Sequence, residues 1–164
     1  MAKLSGEREA VRLPPSSLYR LSRHYRSRHP RELVDALAHS QPRFERHAWR
    51  VFHSDVARLI HDPRLVRTGL AADDPAIDVR YQPGRDRLDA YVSQKVLREL
   101  ELALSPEKGS QQANLSLRVP RGSQWILDWP KSPTPVVAAD LLNVRDPRVR
   151  RAAESALMEV SAAN

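Results

Sequence analysis

A chain of 164 residues, 41% hydrophobic and 29% charged with a formal net charge of +7, is long enough for one domain, or a compact domain with a small helical appendage, built on a real core. No apolar run approaches the roughly 20 residues that span a bilayer, and the opening MAKLSGEREA lacks the apolar stretch of a secretion signal, so no membrane partner is expected and a cytoplasmic location fits. With no cysteine, the chain forms no disulfide, offers no thiol nucleophile and builds no thiolate metal site.

The positive charge is unevenly placed. Residues 1–60 hold twelve Lys or Arg against six Asp or Glu, whereas residues 61–164 hold fifteen against fourteen. His24, His29, His39, His47, His53 and His61 also fall in the first part. A local field of this sign attracts phosphate backbones. Residues 1–15, polar and closed by Pro14 and Pro15, read as a flexible arm. Residues 16–62 read as a basic helical segment. In it, Ser16 or Ser17 caps a short helix carrying Leu18, Tyr19 and Leu21, and Pro30 opens a second with Leu33, Val34 and Leu37 inward. Trp49, Phe52, Val56, Leu59 and Ile60 then recur as one apolar stripe of a third helix, with Arg46, Arg50 and Arg58 on its other side. Three helices of this size suggest a helix-turn-helix unit, but prolines stand at the joints and no glycine marks the turn, so no recognition helix is assigned. Arg20, Arg23, Arg26, Arg28, Arg46 and Arg50 are the candidate nucleic-acid contacts, of the phosphate-gripping kind that position a protein without reading sequence. The competing reading is a solvated basic surface with no ligand.

From residue 63 the pattern becomes that of an α/β domain reaching residue 164. AIDVRY (76–81) and RLDAYV (87–92) alternate as two adjacent strands joined by a turn at PGRD. Ser93 caps the helix SQKVLRELELAL, whose buried stripe is Val96, Leu97, Leu100 and Leu104. A polar loop, SPEKGSQQ, leads to the strand ANLSLRV, and WILD (125–128) reads as a further short strand. VVAADLLNV is helical, and Asp146 caps a last helix that has Pro147 in its first position, where the missing amide costs nothing. Val149, Ala153, Ala156, Leu157 and Val160 pack, while Arg148, Arg150 and Arg151 stay wet. The expected class is therefore α+β, a small mixed sheet with packed helices, preceded by the basic helical segment.

Catalytic constellations are thin. Asp73, Asp74, Asp78, Asp86 and Asp89 lie near expected strand ends, where nucleotidyl-transfer enzymes place metal-binding carboxylates, yet Asp86 and Asp89 point to opposite faces of a strand. His47 and His53, six apart, would sit more than about 100° apart around a helix axis. Glycines occur singly at 6, 69, 84, 109 and 122, which excludes a glycine-rich phosphate loop and a serine elbow. No catalytic residue, metal site or cofactor is assigned. Trp49, Trp125 and Trp129 are the large anchors, and Trp129, in the proline-rich WPKSPTP loop, is the candidate protein-interface residue.

The stretches VRTGLAADDPAIDV, LDAYVSQKVLRELELAL, ANLSLRV and PVVAADLLNVRDPRVRRAAESAL, covering residues 66–160, resemble the C-terminal α/β region of actinobacterial regulators similar to the abortive-infection type IV antitoxins. The resemblance implies toxin antagonism or sensing in this region, and DNA binding by a preceding winged helix for which only a short, arginine-rich leader is present here. The landmarks Arg67, Thr68, Gly69, Asp140 and Asp146 to Arg151 are structural in that comparison. The first reading is a small non-enzymatic DNA-associated regulator or antitoxin-like module, with DNA and a cognate toxin protein as partners and the α/β part able to support dimerisation. The alternatives are a protein-interaction module that meets no nucleic acid and a metal-dependent nucleotidyltransferase-like enzyme.

Overall fold

The computed structural model describes residues 44–72, 74–77, 87–121 and 125–162. The expected arm, the first two expected helices and Arg20, Arg23, Arg26 and Arg28 lie outside the described residues. The described chain divides into two compact units: a sheet unit of residues 44–72, 87–121 and 125–132, and a helical unit of residues 74–77 and 133–162.

In the sheet unit, β1 (Phe44–Arg50) leads to α1 (His53–Leu59), β2 (Val66–Arg67) and a 3-10 turn at Gly69–Ala72. Then follow β3 (Leu88–Tyr91), α2 (Gln94–Leu104), β4 (Glu107–Lys108), β5 (Leu115–Pro120) and a second 3-10 turn at Trp125–Asp128. The strands make one mixed sheet in the order β2-β3-β5-β1-β4, parallel between β3 and β5 and antiparallel elsewhere. A parallel pair cannot be joined by a hairpin, and α2 is the crossover that joins this one. The α+β class, a small mixed sheet with packed helices, is the one the sequence leads us to expect.

Register decides which residues meet. Trp49, Leu115 and Leu88 are aligned across three strands, as are His47, Leu117 and Ala90, so each set shares one face. Val56 and Leu59 of α1 and Leu97 and Leu100 of α2 close over that face and join Trp49, Leu88, Ala90, Leu115 and Leu117 in one buried cluster. Each fully buried aliphatic side chain contributes about 1.5–3 kcal/mol, enough to override weak local preferences. The α2 start is as expected, with the Ser93 hydroxyl accepting the Val96 N–H at 3.2 Å. Its end comes at Ser105, where φ of 45° leaves the helical region.

Three expectations change. Residues 44–50 are a strand and not the start of a third basic helix, so the sheet extends into the segment assigned to helices. Their alternation of Phe44, Arg46, Ala48 and Arg50 against Glu45, His47 and Trp49 has period two, and β5 pairs with them from Phe44↔Pro120 to Trp49↔Leu115. The helical stripe begins only after Phe52, which is 78% exposed. Second, the polar loop 105–112 contributes β4, two exposed residues held on the β1 edge. Third, WILD is a 3-10 turn, not a strand. Among the described residues β3 has β2 and β5 as neighbours and Ile77 is buried, while residues 78–81 of AIDVRY and the PGRD turn lie outside the described residues.

The helical unit contains α3 (Thr134–Leu141) packed against α4 (Pro147–Ala162). Pro135, Val136, Val137, Ala138, Asp140 and Leu141 of α3 are all buried. On α4, Val149, Ala153, Ala156 and Leu157 are buried at helical spacing. Asp146 caps it as expected, its Oδ1 accepting the Arg148 N–H at 2.8 Å.

Candidate nucleic-acid interface

The sheet face opposite the α1–α2 core carries Phe44, Arg46, Ala48 and Arg50 of β1, of which Arg46, Ala48 and Arg50 are exposed. Arg46 is aligned with Arg118 of β5. Arg118 is only 6% exposed, and its guanidinium carbon lies 5.7 Å from the centroid of the Tyr91 ring. Phe44 meets the same ring edge-on at 5.0 Å. Arg50 comes within 3.8 Å of Glu107, but both side chains are more than half exposed, and such pairs contribute little. Arg46 has no ion-pair partner among the described residues.

A denser group of arginines lies in the helical unit. Arg145, Arg148, Arg150 and Arg151 are all exposed around the start of α4, and none has an ion-pair partner among the described residues. The first turn of α4 carries no acidic residue. The N-terminus of a helix is its positive end, so cations there oppose the macrodipole and cost the helix stability. Asp146 offsets part of this by capping the Arg148 amide. The sequence has this group in plain view as RDPRVRR, but one exposed arginine looks like another until ion pairing is known.

The arginines near α1 are different. Arg58 contacts Asp55 at 3.1 Å, and Arg64 contacts Asp62 at 2.6 Å and Glu99 at 3.0 Å. The Arg64 hydrogen bonds hold the Asp62 carboxyl below its ordinary value of 3.8, and Asp62 in turn raises Arg64. These charges are already answered within the protein.

The other candidate residues that the structure describes do not assemble. Asp74 accepts the Ala76 N–H at 3.0 Å in a local turn. Asp89 is half-buried on β3, against Gly69, whose φ is +56°. Asp73, Asp78 and Asp86 lie outside the described residues. His47 sits on a strand with Nε2 3.3 Å from Glu45 Oε1, while His53 opens α1, so their separation around one helix axis has no meaning here. Among the described residues no three acidic or histidine side chains are grouped to hold a metal ion. No described helix is long and apolar enough to cross a membrane. Trp129 is half-buried beyond the second 3-10 turn, its N–H donating to the Ile126 carbonyl at 3.4 Å. Comparison of the chain with protein-family models, curated proteins and solved structures returns no match.

Proposed function

We propose that this chain is a non-enzymatic, DNA-associated regulator or antitoxin-like module whose exposed, unpaired arginines grip phosphates. The observation that carries the reading is the group Arg145, Arg148, Arg150 and Arg151, which have no ion-pair partner among the described residues and sit at a helix end where positive charge is disfavoured. Arg46 on the exposed side of β1 adds to it, as do Arg50, weakly paired to Glu107, and Arg20, Arg23, Arg26 and Arg28 in the basic first third. Phosphate contacts of this kind confer affinity and steep salt dependence, with little base reading.

The test is binding of the purified chain to the DNA upstream of its own gene and to an unrelated duplex across a salt series. A regulator prefers its own DNA, and reversal of Arg46, Arg148 and Arg151 to Glu weakens binding to both duplexes. Absence of binding at low salt, or affinity unchanged by those reversals, rejects the reading. The role of the α/β part in holding a toxin belongs to the same proposal, and co-purification with a neighbouring gene product tests it.

A further inference from the structure

Among the described residues, the sheet has an edge that is only half covered. β4 pairs with β1 at Trp49 and Arg50 alone, and Gly109 adds one bond by donating its N–H to the Ala48 carbonyl at 3.2 Å. This bond shows that Ala48 turns its main chain toward the β4 side. The odd-numbered residues turn the other way: the Trp49 carbonyl accepts the Asn114 N–H at 3.0 Å, and the Asn114 side chain bonds both the N–H and the carbonyl of Val51 at 2.9 Å. Main-chain direction alternates along a strand, so Phe44 and Arg46 also present their N–H and C=O groups to the β4 side. Beyond Gly109 no described strand runs there. Unpaired edge groups of this kind are a template for another strand.

We propose that this half-edge of β1 docks an extended segment of a partner protein, added as a strand beside Phe44 and Arg46, with a carboxylate facing Arg46. Among the described residues the Arg46 guanidinium is the unanswered charge at the docking position, whereas Arg50, Lys108 and Arg121 each already face a glutamate. A second copy of this chain is a poor occupant. Antiparallel self-pairing centred on Arg46 would set Arg46 against Arg46, and the free stretch ends where β4 begins. Strand addition draws affinity from main-chain bonds and specificity from alternate side chains, which matches an open donor–acceptor residue that also bears an unanswered cation.

The experiment uses a short fluorescent peptide of alternating threonine and valine with a central glutamate, and a control in which lysine replaces the glutamate. In the free protein the Arg46 amide exchanges quickly with solvent while the His47 amide, turned toward β5, is protected. The glutamate peptide protects Arg46, and the lysine peptide binds about two- to fivefold more weakly, as a single cross-strand charge pair allows. Arg46→Ala loses that preference but still binds both peptides. Arg46→Pro, which removes only an outward-facing donor from an edge strand, weakens both roughly tenfold. A protected Arg46 amide in the free protein, equal binding of the two peptides, or a concentration-dependent dimer abolished by Arg46→Pro each overturns the proposal. DNA affinity gives an independent readout: it falls equally in Arg46→Ala and Arg46→Pro, because both lose the same charge. Failure of the DNA reading is thereby separated from failure of this one.

Discussion

The two faces of the β1–β5 ladder are built from neighbouring residues and have opposite fates. Trp49 is 1% exposed under α1 and α2, while Ala48 and Arg50 on either side of it face solvent. One face is closed by apolar packing that the helices supply. The other is exposed at Arg46, Ala48 and Arg50 of β1 and buried at Tyr91 and Arg118. Its exposed part, which bears Arg46, is where an outside ligand is to be sought.

The largest effect expected from this contrast is at Trp49. Trp49→Ala removes the biggest side chain of the closed face and should destabilise the fold by about 3–5 kcal/mol, whereas Arg50→Ala should change stability by less than about 0.5 kcal/mol, both read by urea denaturation. Similar losses for the two variants would mean that the faces are not distinct. A smaller effect comes from Gly69, which lies over Asp89 on the second face. A Cβ there would stand 3.1 Å from Asp89 Oδ2 on a backbone of φ +56°. Gly69→Ala should therefore cost about 1–2 kcal/mol, and a neutral result would show that this turn is free to move away.

Smaller still is the ion pair beside α1. The Asp62 carboxyl is depressed chiefly by its hydrogen bonds from Arg64, so its stabilising contribution is present above the unfolded value of 3.8 and is lost as pH falls through the lower folded value. Arg64 is half exposed, and solvent screening limits the pair to roughly 0–1 kcal/mol. Asp62→Asn should show that small deficit at neutral pH and converge with the parent at acid pH. A deficit that persists below the carboxylate range would point to packing instead of charge.

The fold is legible in the sequence wherever one period runs without rivals. Ser93 with Val96, Leu97 and Leu100, and Asp146 with Pro147 and Val149, mark their helices by cap and stripe, and the structure places both helices there. β1 is hidden because Trp49, Phe52 and Val56 mimic a helical stripe across what is in fact a strand, a two-residue link and a short helix. Only the pairing with β5, some 70 residues away along the chain, settles it. β4 and the 3-10 form of WILD carry no pattern of their own and are set by tertiary contact. The candidate surface is half visible. Arg46 and Arg50 stand out by charge alone, whereas the α4 arginines read as ordinary wet residues because their sequence does not reveal that they lack acidic partners.

In this proposal unpaired arginines, and not arginines in general, bind phosphate. The slope of log affinity for duplex DNA against log salt separates the two cases. Arg46→Ala should make the slope shallower by about 1, and Arg148→Ala with Arg151→Ala by about 2, at about 0.9 for each phosphate no longer neutralised. Arg58→Ala with Arg64→Ala, which removes arginines already paired to Asp55, Asp62 and Glu99, should leave it unchanged. Equal slopes in all of these variants and the parent would reject phosphate binding by the unpaired arginines.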